Sequence, residues 1–299
     1  MVGAGIAGVA CARELVAAGH EVLVLERGHV PGGRMASRQL DGRPVDLGAS
    51  YLTASDDAFR QVVDDWVARG LARPWTDSFH TATPDGLQGT KQGPLRYGAP
   101  GGLRSLVEDL ATGLDVMTGT EVSRVGPGPR VDGTAYDAVV LAMPDPQARR
   151  LLGPELQHLV DREYEPVLAL AARFPVRDWE LDGAFVNGDD VLAWVADDGS
   201  RRGDGAPVLV AHSTAGFAAA HLEDPAAAGS ALVAALRRVL GVGAPARTYV
   251  QRWTYAKPVG ERDAPYGLVD GVGLCGDGWG ASKVEAAWVS GYRLGRALA

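Results

Sequence analysis

Three patterns of apolar and polar residues follow one another along the chain. Residues 21–26, EVLVLE, form a short apolar run typical of a buried strand, after a helical pattern that ends at Gly19. Residues 57–70 place apolar side chains on one helical face, with Trp66 in the core. Residues 148–257 contain several short apolar runs separated by turn residues, which is typical of an antiparallel sheet. The pattern predicts an α/β region followed by a strand-rich region.

Turn and capping residues add detail to this prediction. The pair Asp41-Gly42 predicts a tight hairpin turn. Asp224 as N-cap and Pro225 at the first helical position predict a helix that runs to Gly241. Residues 72–98 are polar and rich in Gly, Pro and Thr without clear periodicity, so no regular element is predicted there.

Composition excludes several classes of protein. The chain has 299 residues, is 46% hydrophobic and 22% charged, and carries a formal net charge of −8 without a Lys/Arg-rich block, so we expect no nucleic-acid or membrane partner. The two cysteines, Cys11 and Cys275, are far apart, which excludes a disulfide framework and favours the cytoplasm. The six histidines show no metal-binding spacing, so we expect no metal site.

The chemistry-bearing motif begins at the third residue. Gly3, Gly5 and Gly8 form a G-x-G-x-x-G that opens a helical pattern, as in dinucleotide-binding loops. Glu26 ends the next strand about twenty residues later, where a carboxylate accepts hydrogen bonds from an adenosine ribose. Because an acid there disfavours a 2′-phosphate, the predicted ligand is FAD or NAD rather than NADP.

The segment after Glu26 favours FAD. Gly32-Gly33 permits close backbone approach, and Arg34 supplies a charged fork suited to a pyrophosphate. The alternative is an NAD-binding unit in which these residues form an ordinary surface loop. With every element at its required spacing, the sequence resembles the FAD-binding fingerprint of the amine-oxidase-like flavoproteins.

Four further motifs extend the resemblance over most of the chain. These motifs are similar, in the same order, to segments of the renalase-like members of that superfamily. They are GGRMASR, VDLGASYLTA, RWTYAKP and GDGWGASKVEAAWVSG. The resemblance implies that Gly276 and Asp277 approach the ribityl and pyrophosphate groups, and that the backbone of Val122 contacts the adenine side. From the residues alone, Asp277 is equally a turn or N-cap acid. The predicted cofactor-binding residues are Gly3, Gly5, Ile6, Ala7, Gly8, Glu26, Arg27, Gly33, Arg34, Met35, Gly48, Ala49, Val122, Gly276, Asp277 and Val284.

The strand-rich region interrupts the α/β region, which predicts two domains. We expect an α/β fold with a discontinuous Rossmann-like FAD-binding domain formed by residues 1–53, 96–147 and 260–299. Residues 54–95 and 148–259 are expected to form a substrate domain with a mainly antiparallel sheet and helices.

The resemblance implies an FAD-dependent oxidase with a small-molecule substrate. The implied substrates are dihydropyridine nucleotides, in particular isomers of NAD(P)H, which give a hydride to flavin N5 before molecular oxygen is reduced to hydrogen peroxide. Such a reaction requires orientation and a dry pocket but no general base, in agreement with the lack of an obvious acid–base pair in the sequence.

Two alternatives stay open. A true amine oxidase would need an aromatic cage, for which Trp253, Tyr255 and Trp279 are available walls, with Tyr51 as a further pocket residue. Trp253 and Tyr255 also fit an alternating strand that buries both. The third possibility is a flavin-binding protein without turnover. No catalytic residue is assigned, and Cys275 is interpreted as a small buried residue rather than a flavin attachment site.

Only Met1 and Val2 precede the first glycine. In a dinucleotide-binding sheet the first strand is central and paired on both edges. We expect it to pair with EVLVLE on one side and, by the resemblance, with the strand GVGLCG on the other. We also expect the natural chain to begin several residues upstream.

Overall fold

A computed structural model describes residues 1–260 and 262–299. The α-helices are α1 (Ile6–Ala17), α2 (Asp57–Ala68), α3 (Leu103–Leu110), α4 (Asp145–Leu151), α5 (Asp198–Arg202), α6 (Ala215–Ala220), α7 (Gly229–Leu240) and α8 (Val284–Leu298). The strands are β1 (Leu23–Glu26), β2 (Ser37–Leu40), β3 (Arg43–Asp46), β4 (Arg73–Thr83), β5 (Gly86–Gly98), β6 (Asp115–Thr118), β7 (Val125–Gly126), β8 (Arg130–Val131), β9 (Thr134–Ala135), β10 (Val139–Leu141), β11 (Tyr164–Arg173), β12 (Gly183–Val186), β13 (Leu192–Asp197), β14 (Val208–Ser213), β15 (Arg247–Pro258), β16 (Gly267–Val269) and β17 (Val272–Leu274).

A single residue, Val2, joins the two halves of the mainly parallel sheet. Its N–H donates to the Val140 carbonyl over 2.8 Å, and the Gly3 N–H donates to the Leu25 carbonyl over 2.8 Å. The strand order is therefore β6, β1, Val2, β10, β17 and β16. Pairing of the first strand with β1 is confirmed. The prediction that GVGLCG, which contains β17, flanks it is wrong, because β10 lies between them.

Two glycines of α8 allow this helix to pack closely against α1. A Cβ at Gly291 would lie 1.9 Å from the Ala7 carbonyl oxygen, and one at Gly295 would lie 2.8 Å from the Cys11 carbonyl oxygen. Side chains at these two positions would therefore push the helices apart. This contact sets α1, and with it the glycine loop, against the C-terminal helix.

The second sheet has seven strands in the order β15, β11, β14, β13, β12, β4 and β5. Both faces of its central strands are covered, and β11 shows how. Leu168 and Leu170 point to a core built with α7, whereas Ala169 and Ala171 point to a core with Leu47, which follows β3. A strand buried on both faces reads as a continuous apolar run. The face that carries Ala169 and Ala171 therefore packs against the segment that leads from β3 to Gly48.

The α/β architecture, the hairpin at Asp41-Gly42 and the antiparallel sheet are confirmed. Two details differ from the predictions. Residues 72–98, where no element was predicted, form the long hairpin β4–β5, whose register shifts disrupt alternation. Helix α7 begins at Gly229, because residues 225–228 form a turn in which the Asp224 carboxylate accepts a 3.3 Å bond from the Ala227 N–H.

Helix α2 bears on the predicted division into domains. The prediction assigns it to the substrate domain, but its buried residues Phe59, Val63 and Trp66 share a core with Ile6 of α1 and Leu103 of α3. Core burial of Trp66 agrees with the sequence prediction. The domain boundaries themselves stay a prediction.

Candidate cofactor and substrate site

The glycine loop forms one wall of the site. Gly3 has φ +102°, and a Cβ there would lie 2.7 Å from the Ala142 carbonyl oxygen; a Cβ at Gly8 would lie 2.1 Å from the Gly3 carbonyl oxygen. At Gly5 the nearest atom to such a Cβ would be the Gly33 Cα, 4.0 Å away. The first and third glycines are thus required by packing, and the second leaves backbone open toward a ligand. Ile6 and Ala7 follow as the buried first residues of α1.

Glu26 organises the turns on both sides of it. Its carboxylate accepts hydrogen bonds from the Ala4 N–H at 2.8 Å and from the Gly28 N–H at 2.6 Å. The carboxylate is therefore held at the end of β1 and beside the glycine loop, as required for contact with a ribose. Its neighbour Arg27 extends into solvent, 3.9 Å from the Glu121 carboxylate, and Val122 is buried close to this edge.

Arg34 and Asp277 meet across 243 positions of sequence. The Arg34 Nη1 and Nη2 atoms donate to the two Asp277 carboxylate oxygens at 2.7 and 2.5 Å, a bidentate pair. Arg34 Nη1 also donates to the Ala256 carbonyl at 3.0 Å, and its guanidinium carbon lies 5.6 Å from the centre of the Tyr164 ring. The structure thus joins two of the residues that sequence analysis assigned to the cofactor site.

The backbone beside Arg34 is held by a second glycine contact. A Cβ at Gly48 would lie 1.9 Å from the Arg34 carbonyl oxygen and 3.4 Å from Trp253 Cζ2. The Ala49 N–H donates to the same Arg34 carbonyl at 2.9 Å. The Met35 side chain is buried in the core beneath the loop.

The C-terminal segment reaches the site through Gly276, which has φ +144° and would place no Cβ within 4 Å of a neighbour. Its N–H donates to Ser290 Oγ of α8 at 3.0 Å. Asp277 follows directly, and Val284 begins α8 against the core that contains Ile6. The open backbone at Gly276 and the Asp277 carboxylate therefore border the same site.

The four pocket candidates have different surroundings. Trp253 donates from Nε1 to the Leu47 carbonyl at 2.8 Å, and the Tyr255 ring packs edge-on to Tyr164 with centroids 6.5 Å apart. Trp279 stacks under Arg262, whose guanidinium carbon lies 4.4 Å from the ring centre. These three rings thus contact separate neighbours rather than one another.

Tyr51 belongs to a cluster that sequence analysis missed. Ring centroids of Tyr51, Trp75, Phe79, Phe185 and Trp194, here called the aromatic box, lie 4.7–6.2 Å apart. Four of the five rings come from β4, β12 and β13, so only the pairing of the strands assembles them. The presence of Trp75 and Phe79 in a segment without periodicity was the one available signal.

The aromatic box contacts a buried cation. The guanidinium carbon of Arg96 lies 3.9 Å from the centre of the Phe79 ring and 5.7 Å from that of Tyr51. Arg96 is 7% exposed. Nothing in the sequence pattern indicated a buried arginine at this position.

Protonation states in the site follow from burial and charge. Burial by itself would lower the pKa of Arg34, but the Asp277 carboxylate raises it above its ordinary value. Burial, with the Asp277 charge, raises the pKa of Tyr164. Burial and the nearby Lys257 and Arg201 charges lower the pKa of His212 to about 3. Tyr164 and His212 are therefore both neutral at physiological pH.

The described residues, 1–260 and 262–299, contain no group of three or more His, Cys, Asp or Glu side chains placed to hold a metal ion. Within the same ranges, no helix is long and apolar enough to cross a bilayer. Cys11 and Cys275 are free and buried, and burial raises the pKa of both thiols. Both cysteines therefore stay protonated at neutral pH.

The residues fit FAD. The Gly5 and Gly33 backbones approach each other, so that a Cβ at Gly33 would lie 3.3 Å from the Gly5 Cα, and side chains there would fill the space a pyrophosphate requires. Glu26, Arg34 and Asp277 border the same region. A Rossmann-like domain with these features, joined to a sheet-rich substrate domain, defines the class of FAD-dependent oxidoreductases.

Comparison with protein families agrees with this class. The family described as "NAD(P)-binding Rossmann-like domain" matches residues 1–66, and the family described as "Flavin containing amine oxidoreductase" matches residues 70–298. The second match covers most of the chain. The chain belongs to the flavin-containing amine oxidoreductase family, and its cofactor is FAD.

Individual relatives match shorter segments. The chain is 33% identical over 108 residues to the putrescine oxidase of Kocuria rosea, covering 36% of this chain and 22% of that enzyme. It is 46% identical over 65 residues to the phytoene dehydrogenase of Streptomyces griseus, covering 21% of this chain and 13% of that protein. The matched segments thus span less than a quarter of these relatives' own lengths.

Two solved structures share the fold over nearly the whole chain. Putrescine oxidase bound to putrescine superposes with a TM-score of 0.76 at 16% identity, covering 99% of this chain and 97% of the other. Cyclohexylamine oxidase from Brevibacterium oxydans IH-35A superposes with a TM-score of 0.75 at 14% identity, with the same coverage.

Proposed function

We propose that this protein is a renalase-like, FAD-dependent oxidase that removes a hydride from a dihydropyridine nucleotide. The observation that carries the proposal is the joining of three distant segments around one open backbone cradle: Gly5, Gly33 with Arg34, and Asp277. When bound, FAD would accept the hydride at N5 and pass both electrons to molecular oxygen, giving hydrogen peroxide.

In this proposal the protein holds and orients the reactants. Glu26 would hold the adenosine ribose, and the Gly5 backbone would accommodate the pyrophosphate. Arg34 would supply positive charge, with Asp277 fixing the orientation of its guanidinium. Trp253 packs against Gly48, next to the Arg34 backbone that borders this cradle.

The titratable groups near the site support a reaction without proton abstraction by the enzyme. His212 lies beside Trp194 on the neighbouring strand, but its pKa of about 3 makes it a weak base. Tyr164 is held in its neutral form. Loss of hydride from a dihydropyridine needs no base, because the nitrogen lone pair drives aromatisation.

The alternative function is oxidation of an amine. The family match and the putrescine oxidase relative are consistent with it. A third alternative, a flavin-binding protein without turnover, has the same cofactor site.

One experiment separates these functions. The yellow holoprotein is mixed anaerobically with dihydronicotinamide isomers and with primary and secondary amines, while the visible flavin absorbance is followed. We expect bleaching by a dihydropyridine, faster than by any amine, with a flat pH profile near neutrality. Bleaching by amines alone would establish the amine oxidase instead, and no bleaching by any substrate would indicate binding without turnover.

A further inference from the structure

The strongest unexplained feature of the molecule is the isolated charge of Arg96. Its Nε and Nη1 atoms are buried, and neither has a hydrogen-bond partner among the described residues. A buried cation without a partner carries a large desolvation cost, so such groups are normally paired. The Phe79 ring, 3.9 Å from the guanidinium carbon, offsets part of this cost but accepts no conventional hydrogen bond.

The acid Asp77, which senses the Arg96 charge, does not form an ion pair with it. Hydrogen bonds from Ser78 and Gln92, and more weakly the Arg96 charge, lower the pKa of Asp77. The Asp77 carboxylate is exposed and accepts from Ser78 Oγ at 2.8 Å and from Gln92 Nε2 at 3.2 Å. Asp77 therefore influences Arg96 only at a distance.

The backbone is shaped around the guanidinium. Strand β5 departs from the register of β4 between Gln92 and Arg96, so that residues 93–95 stand opposite the single residue Asp77. A Cβ at Gly93 would lie 2.8 Å from Arg96 Nη2. The bulge and its glycine thus provide the space that the buried head group occupies.

Arg96 lies next to the segment that contacts the cofactor region. Tyr97 pairs with Leu52, with N–H to carbonyl distances of 2.9 and 3.1 Å in the two directions. Tyr51 precedes Leu52, and Ala49 is hydrogen-bonded to the Arg34 carbonyl. The box that holds Arg96 is therefore continuous with the flavin-binding loop, and its Phe185 ring is 43% exposed at the protein surface.

We propose that Arg96 anchors a phosphate group of the substrate at the aromatic box. This inference rests on the proposed function, and it assigns the nucleotide phosphate as the group that Arg96 would hold. The planar guanidinium group of Arg96 offers paired N–H donors to two oxygens of an anion. The same charge would repel a protonated amine, so the site discriminates against diamines such as putrescine.

Binding without turnover tests the anchor. Holoprotein is titrated calorimetrically with benzoate, phenyl phosphate, benzamide and benzylamine, which carry the same ring but differ in charge. We expect phenyl phosphate to bind about ten- to hundredfold more tightly than neutral benzamide, as for a charged hydrogen bond. Benzylamine should bind most weakly. Equal affinities for all four probes would overturn the proposal.

Variants assign the effect to Arg96. Arg96→Gln should abolish the preference for anions while Arg96→Lys retains part of it, and exposed Arg237→Gln is the matched control that should leave it unchanged. Melting temperature and FAD content show whether each variant folds. If Arg96→Gln does not fold, the test is the preference for anions in the unaltered protein and its partial retention in Arg96→Lys. A preference that survives in folded Arg96→Gln would refute the anchor.

A kinetic arm separates this inference from the proposed function. Dihydronicotinamide mononucleotide and its phosphate-free riboside are compared as reductants of the flavin. If neither reduces it but anions still bind through Arg96, the proposed function fails and the anchor stands. If both reduce it with equal KM in the unaltered protein and in Arg96→Gln, the function stands and the anchor fails.

Discussion

Replacement of Arg34 by Ala tests the bidentate pair on which the candidate site depends. The Asp277 side chain is 8% exposed and that of Arg34 is 28% exposed, so the substitution leaves a nearly buried carboxylate without its partner. Removing one partner of a fully buried pair costs about 3–5 kcal/mol. The partial exposure of Arg34 lowers this, and we expect a loss of about 1.5–3 kcal/mol, the range for a hydrogen bond to a charged group.

The same substitution removes positive charge from the cofactor cradle. A lost ionic hydrogen bond of that size corresponds to FAD affinity about ten- to hundredfold lower. The assays are thermal unfolding of the apoprotein and FAD titration followed by flavin fluorescence. Arg34→Lys should recover part of the affinity, since it keeps the charge but not the fork.

Exposed Arg60 on α2 provides the control, because Arg60→Ala removes an equal charge far from the pair. It should leave both the melting temperature and FAD affinity unchanged. If Arg34→Ala binds FAD within about threefold of the unaltered protein and melts with it, the assignment of Arg34 and Asp277 to the cofactor site is wrong.

Three further predictions concern other parts of the fold. Glu26→Ala should weaken FAD about ten- to hundredfold, measured by the same titration, because the loss of the carboxylate removes a ribose acceptor and frees the glycine loop. Gly291→Ala should lower the melting temperature by a few degrees, because overpacking costs about 1–3 kcal/mol. Gly229→Ala is the control and should leave the melting temperature unchanged, because its Cβ would have only an ordinary 3.6 Å contact. His212 should make stability fall with acid: its folded pKa of about 3 lies below its unfolded value, so the unfolded state binds the proton first as the pH drops from about 6.5 toward 3. The free energy of unfolding should be about 2 kcal/mol lower near pH 5 than near pH 7.5, and an unchanged acid dependence in a folded His212→Gln variant would contradict this assignment.

The sequence alone determined those features that depend on local conformation. Gly19, Gly42 and Gly241 adopt positive φ at the turns and helix ends where their positions predicted them. The glycine loop and Glu26 also stand at spacings that only a strand–helix–strand unit explains. Each of these signals lies within one short segment, where the chain's own geometry restricts the choice of residue.

Tertiary structure decided which distant segments meet. Strand β10, rather than β17, is the second neighbour of Val2. Arg34 forms an ion pair with Asp277, which lies 243 residues further along the chain. The hairpin β4–β5 has no readable alternation, because bulges shift its register. Arg96 packs against the aromatic box, whose rings come from separate segments of the chain. Such pairings depend on long-range contacts between whole strands and helices, and no local preference of the chain encodes them.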